Sequence, residues 1–374
     1  MSDQSKHVLL PVIFLLISIL SSLCSNVSPI DAAESAGSNP AYAKYDFGDR
    51  QRVVTFSSQP LGVLAAVIPE VMRRDRILNS YLQARQMELK VLPFYNGPDI
   101  NHFMRQGKID IAMAGDFPTL NMASTADVQV IAISKRDKAA VVTHRKYNTM
   151  KDLVGKRIAF PQGTSSHLGL LVVLESSGIK ESDVQMIPMD INLLTTAIVE
   201  GRIDAFAGWE PVPTTALAAN KDLKIISQFL NTDFLYWTGD FARQKPEVSR
   251  QIFAAYVRAI NWMKESDAHL TRAAKWSLSN TDTFFGKPST LSLAQFKQRI
   301  RENLNLVGSS AIPADEFARG SYLNRAFELL KKKELLPKEA RWEKVQESLQ
   351  PALVKEVLTA PAKYKTTKFE YPAE

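Results

Sequence analysis

The chain has 374 residues, 45% hydrophobic and 23% charged, which suits about two globular domains and excludes large-scale disorder. Its formal charge is +7, yet the basic residues are spread along the chain. With no Arg/Lys-rich arm and no aromatic RNP-type motif, nucleic acid is not an expected partner.

Lys6 and His7 precede the apolar run Val8–Leu20, which has signal-peptide length and is short for a bilayer span. Residues 1–32 therefore read as a leader, with cleavage near Ala32. An uncleaved anchor is one alternative and a lipoprotein at Cys24 the other, although Leu23 stands where a lipobox needs Gly or Ala. Cys24 is the only cysteine, so a cleaved chain has no disulfide, thiol nucleophile or cysteine–metal site. Residues 33–50, small and polar, read as a spacer.

From Arg52 the pattern alternates. Arg52–Phe56 predicts a strand, Leu61–Leu78 a helix, Met87–Phe94 a strand and Gly97–Gly107 a helix. Ile109–Gly115 predicts a strand, Phe117–Ser124 a helix and Val128–Lys135 a strand. The series then restarts. Strands are expected at Lys138–Arg145, Arg157–Pro161, Val184–Asp190, Ile203–Gly208 and Leu223–Phe229. Helices separate them, the longest following Gly163 and running through "SSHLGLLVVLESS". Strand–helix–strand succession implies parallel βαβ units and an α/β fold. Beyond about residue 240 the chain reads as mostly helical, with Pro246 in the first turn of a long helix and Pro351 interrupting another.

The two series share an echo: "GKIDIAMAGDFP" (Gly107–Pro118) and "GRIDAFAGWEP" (Gly201–Pro211). In each, a helix closes on Gly, a buried strand follows, and the chain turns at the strand's carboxyl end, the edge where open α/β sheets bind ligands. The expectation is two equivalent loops facing each other across a cleft.

The richest candidate site is "FPQGTSSHLGLL". Gly163 allows a tight turn, and Thr164, Ser165, Ser166 and His167 open a helix whose backbone N–H groups and dipole favour an anion. An ordinary Ser/Thr cap explains part of the same pattern. Asp116 and Phe117 lie on one echo loop, where Asp116 either caps a helix or accepts from a ligand amine. Trp209 and Glu210 lie on the other, Trp209 as an apolar wall or an interlobe packing residue, Glu210 with the same helix-start alternative. Ser57, Ser58 and Gln59 offer uncharged donors after the first strand, and Tyr95 or Asn96 completes a fourth wall. Catalysis finds little support. His102, His144, His167 and His269 lack metal-ligand spacing, no Gly-x-Ser-x-Gly elbow or phosphate-binding glycine fingerprint occurs, and Ser166 beside His167 points away from it. No catalytic residue, metal or cofactor is expected.

In "GKIDIAMAGDFPTL", "MKDLVGKRIAFPQGTSSHLGLLVVLESSGI", "IVEGRIDAFAGWEP" and "FARQKPEVSRQIFAAYVRA", taken in order, the chain resembles the periplasmic solute-binding proteins of ABC transporters, in the aliphatic-sulfonate, taurine and nitrate family. The resemblance covers about residues 50–265. It implies a type II periplasmic-binding fold: two α/β lobes, crossovers near residues 140 and 236, and hinge closure on the ligand. Lobe 1 would be residues 51–139 plus 237–374 and lobe 2 residues 140–236. It further implies a monomer that carries a small anionic solute, sulfonate or taurine ahead of nitrate or bicarbonate, to a permease and ATPase complex in the inner membrane. A phosphonate, pyrimidine or aromatic acid is the alternative solute, a sensor domain the alternative role, and an enzyme on this fold the least favoured. Two features depart from the family: a helical C-terminal extension from about residue 266, and "SSQPLG" in place of a glycine-rich first turn.

Overall fold

The computed structural model describes residues 37–306 and 311–373. The leader, its cleavage region and Cys24 lie outside the described residues. Eight strands form one mixed sheet in the order β2-β1-β3-β8-β4-β7-β5-β6. They are β1 (Val53–Ser58), β2 (Glu88–Pro93), β3 (Ile111–Gly115), β4 (Val128–His144), β5 (Arg157–Phe160), β6 (Gln185–Pro188), β7 (Ala205–Gly208) and β8 (Leu223–Thr238).

Pairing is parallel within β2-β1-β3 and within β7-β5-β6, as the βαβ reading requires. The two series are joined differently from the sequence expectation. The strands read as Val128–Lys135 and Lys138–Arg145 are one continuous 17-residue strand, β4. Likewise the strand expected to stop at Phe229 runs on through "NTD" to Thr238. These two long strands pair antiparallel from Val128↔Thr238 to His144↔Leu223. Their polar midpoints looked like breaks because apolar periodicity stops there; across the pair those groups find partners instead.

Lobe 1 is built on β1, β2 and β3, lobe 2 on β5, β6 and β7, and the long strands serve both. Because β3 pairs antiparallel with β8 and β7 antiparallel with β4, the carboxyl ends of β3 and β7 point at each other across the middle of the sheet. Gly107 and Gly201 adopt φ of 68° and 69°, the left-handed turn that ends each preceding helix and feeds these strands.

Lobe 1 carries α1 (Val63–Arg73), α2 (Arg76–Gln83), α3 (Gly97–Arg105) and α4 (Asp116–Thr125). Lobe 2 carries α5 (Ser165–Ser176), α6 (Leu194–Val199) and α7 (Val212–Ala219). The helix expected over Leu61–Leu78 is split, because Asp75 accepts from the N–H groups of Ile77 and Leu78 and starts a new helix. Its carboxylate also meets Arg258 at 2.7 Å, both side chains being fully buried.

After α8 (Gly239–Gln244) come α9 (Pro246–Glu265), α10 (Asp267–Phe285), α11 (Leu293–Leu306), α12 (Tyr322–Lys332), α13 (Trp342–Glu347), α14 (Pro351–Thr359) and α15 (Pro361–Tyr364). The extension packs mainly on lobe 1. Leu270, Phe296, Ile300 and Val357 join the core around α1 on one sheet face, while Phe317, Phe327, Leu330 and Trp342 join the core around α4 on the other. Lobe 2 has its own core around Phe160, Leu174, Ile198 and Phe206.

The stretch read as a spacer, where described, is packed rather than free. Tyr42 is buried, donates to Asp99 at 2.6 Å and accepts from the Tyr95 N–H at 2.9 Å, while the Tyr45 hydroxyl donates to the Pro93 carbonyl. Aromatic residues in an otherwise small, polar stretch supplied the anchor.

Candidate functional site

Two cavities lie where the lobes meet. The inner one, about 20 Å³, has room for roughly one water. Both echo loops reach it, through Gly115 and Pro118 on one side and Trp209 on the other, with Gln59, Thr164 and Ser165 beside them. The outer one, about 600 Å³, is lined by Phe117, Pro118, Pro161, Gly163, His167 and Met189 among others. Between the two the lobes touch. A Cβ at Gly115 would come within 1.9 Å of Ser165 Oγ, and one at Gly163 within 3.1 Å of Pro98.

The inner cavity holds residues that sequence reasoning missed. Lys135, 1% exposed, reaches Asp233 at 3.3 Å and Asp137 at 3.6 Å, and Lys135, Asp233 and Asn231 line the cavity. Burial opposes the lysine's charge, but the two carboxylates outweigh it and hold the ammonium above its usual range. Asn231 in turn donates to Asp137 at 3.1 Å. One cation faces two carboxylates here, so this pocket does not favour a bare anion. A signal existed: Lys135–Asp137 and Asn231–Asp233 are the polar triplets that interrupt the two crossover strands.

The helix start of α5 is arranged as a set of neutral groups. Thr164 Oγ1 donates to the Pro161 carbonyl at 2.7 Å, so its hydroxyl proton is committed locally. His167, 4% exposed, stacks on Phe160 at 4.5 Å and lies 5.9 Å from the Phe117 ring. Burial pushes its pKa down to about 3, and Nδ1 accepts the Gly163 N–H at 3.3 Å. The imidazole is therefore neutral at physiological pH, and its proton sits on Nε2 as a donor.

Other expected site residues are placed elsewhere. Asp116 lines neither cavity. Its Oδ1 accepts from the Phe117 N–H at 2.8 Å and its Oδ2 from the Tyr322 hydroxyl at 3.2 Å, so helix start and extension occupy it, and burial lifts its pKa to about 6. Glu210 accepts from the Thr214 N–H at 3.4 Å and faces Arg299 at 3.9 Å, again a helix start met by the extension. Tyr95 turns to Phe284 and Phe285, with centroids at 4.9 and 5.7 Å. Asn96 lines the outer cavity and caps α3 through the Asp99 N–H.

Ser57, Ser58 and Ser166 are buried with unpartnered hydroxyls and line neither cavity. Gln59 donates to the Met113 carbonyl at 2.7 Å. Trp209 acts as a fastener between lobes, its indole N–H donating to the Leu61 carbonyl at 3.0 Å. The extension also ties lobe 2 directly, through Arg299 to Thr214 Oγ1 at 2.7 Å and Lys333 to Glu181 at 2.6 Å. Arg136, at the strand crossover, meets Glu316 of the extension at 2.8 Å.

Among the described residues no group of His, Cys, Asp and Glu is arranged to hold a metal ion, and no helix is long and apolar enough to cross a membrane.

Comparison with known proteins agrees with this architecture. The chain is 32% identical over 146 residues to the putative aliphatic sulfonates-binding protein of Escherichia coli K12, covering 36% of this chain and 45% of that one. It is 28% identical over 166 residues to the taurine-binding periplasmic protein of the same strain, covering 41% and 51%. The chain thus spans about half the length of the curated relatives it matches. The crystal structure of the periplasmic aliphatic sulphonate binding protein SsuA from Escherichia coli superposes with a TM-score of 0.59 at 18% identity, over 81% of this chain and 99% of that one. The desulfurization enzyme DSZB, solved with biphenyl-2-sulfinic acid, shares the fold at a TM-score of 0.55 and 17% identity, over 83% and 99%. At such identities the structures speak for the fold alone. The family described as NMT1/THI5 like matches residues 79–268, half of the chain, and the chain belongs to that family, with the two-lobed fold of the periplasmic binding proteins.

Proposed function

We propose that this chain is the extracytoplasmic solute-binding component of an ABC importer, closing its lobes around a small anionic solute and delivering it to a permease. Sulfonates and taurine are favoured over nitrate and bicarbonate. The observation that carries this reading is the junction of the lobes. The Gly115–Pro118 turn of lobe 1 meets the start of α5 from lobe 2, and beside it His167 presents a neutral donor. Such a site binds an oxyanion without a fixed counter-charge and releases it when the lobes separate. A ligand shifts the balance only by binding the closed form better. The relatives' names support the solute class, and the apolar leader supports export to the periplasm as a monomer.

The test is a thermal-shift screen of residues 33–374 against alkanesulfonates, taurine, nitrate, bicarbonate, phosphonates and pyrimidines. A ligand that binds only the folded chain raises its melting temperature with concentration. Sulfonates are expected to do so. A shift with pyrimidines alone would keep the fold and overturn the anion assignment.

A further inference from the structure

We propose that the outer cavity receives an apolar, ring-sized body of the solute, so that the solutes captured are bulky organic anions rather than inorganic or two-carbon ones. This rests on the interlobe capture reading above and narrows its substrate class.

Size comes first. The cavity is about 600 Å³, whereas a water takes about 30 Å³ of liquid, and pockets of roughly 300–1,000 Å³ bury drug-sized ligands. Nitrate or taurine would leave most of this space to solvent, and closing the lobes would then desolvate little. The inner cavity, at about 20 Å³, is too small for a sulfonate and is already charge-matched by Lys135.

The walls come second. Phe117 and Pro118 from lobe 1, Pro161, Met189 and Leu193 from lobe 2, and Leu335 from the extension present apolar surface from three directions. A planar ring against such walls gains by area removed from water.

Polar groups fix the sign. His167, 4% exposed, lines the cavity, and with Nδ1 committed to Gly163 its Nε2–H has no partner among the described residues. Arg105 lines it too, held only by neutral oxygens: Asn121 Oδ1 at 2.8 Å and Thr125 Oγ1 at 3.0 Å. No carboxylate pairs with it among the described residues. Two carboxylates also line the space. Asp99 is satisfied by the Tyr42 hydroxyl and the Gly37 N–H, whereas Asp190 stays available to repel an anion. A solute whose charge sits at the guanidinium, clear of Asp190, with its ring on the apolar walls, satisfies all of these at once.

The experiment is calorimetric titration of residues 33–374 with naphthalenesulfonate, benzenesulfonate, methanesulfonate and taurine. Leu193→Trp and Arg105→Gln are titrated in parallel. Leu193 is 45% exposed, so the larger side chain fills the cavity without disturbing the core. Burying a ring is worth roughly ten- to hundredfold, so the aryl sulfonates are expected to bind that much more tightly than methanesulfonate. Leu193→Trp should erase the preference and leave methanesulfonate within about twofold, and Arg105→Gln should weaken every sulfonate. Equal affinity for aryl and methyl sulfonates, or an aryl preference that survives Leu193→Trp, would overturn the proposal while leaving interlobe capture intact. Failure of all the sulfonates would overturn both.

Discussion

Replacing Gly115 with alanine tests the closed arrangement directly. Gly115 has φ −67° and ψ 176°, ordinary extended backbone that alanine adopts without strain. The atoms a new Cβ would meet are Ser165 Oγ at 1.9 Å and Ser165 Cβ at 3.1 Å, both on lobe 2, and Asp233 Oδ1 at 3.5 Å on the crossover strand. The Ser165 hydroxyl can rotate away, but the Cβ–Cβ approach stays tight unless the lobes part. Overpacking of this kind costs about 1–3 kcal/mol, which is roughly a 5- to 150-fold loss of affinity for any ligand that requires closure. Lobe 1 alone has room for the methyl, so the melting temperature of the unliganded chain should hold. Gly97→Ala is the control. Its Cβ would fall 2.5 Å from Pro118 Cγ and 3.1 Å from Ala114 Cβ, all within lobe 1, so its cost should fall on folding and lower the melting temperature with or without ligand. Calorimetric titration and thermal melts of both variants provide the measurement. Native affinity in Gly115→Ala, or a melt as depressed as that of Gly97→Ala, would refute the reasoning.

Asp116 gives a pH prediction. Burial lifts its pKa from 3.8 to about 6, so between those values the folded state holds the proton more tightly than the unfolded one. Stability from this group is therefore greatest below pH 4 and lost as pH rises to 6, an effect of about 3 kcal/mol. Asp116→Asn should remove it, and urea midpoints of variant and parent that ran parallel from pH 4 to 7 would contradict this. Asp75→Ala strands the buried Arg258 guanidinium and removes the α2 cap, so a loss of about 3–5 kcal/mol is expected in urea unfolding, with Asp75→Asn retaining the cap contribution. Lys333→Glu sets two carboxylates together where the extension meets lobe 2, and ligand affinity should fall by less than about tenfold. Pairing it with Glu181→Lys should restore affinity, and about 1 M salt should abolish the difference. A loss that persists in salt would show that the contact acts by shape rather than charge.

Much of the architecture was written locally. Period-two apolar runs placed β1, β2, β3, β5 and β7, Pro246 marked the first residue of α9, and Gly107 and Gly201 marked matching helix ends. The echo between Gly107–Pro118 and Gly201–Pro211 identified two loops that do reach one cavity, through Gly115, Pro118 and Trp209. These signals act within a few residues of themselves, through periodicity, fixed φ and capping, and so they survive in a bare string of letters.

Tertiary structure alone decided the rest. Lys135 meets Asp233 only because the register of two long antiparallel strands sets them opposite one another. Asp116 reads as a ligand residue until Tyr322, 206 positions later, takes one of its oxygens. Arg258 finds Asp75 across a separation of 183 residues. Tyr95 is drawn from the cleft by the Phe284 and Phe285 pair of the extension. Pairing of this kind depends on which surfaces the fold brings together, and a buried polar group is settled by whatever partner arrives there. That information belongs to the packing of the whole chain, because desolvation makes the partner obligatory without naming it in the neighbouring sequence.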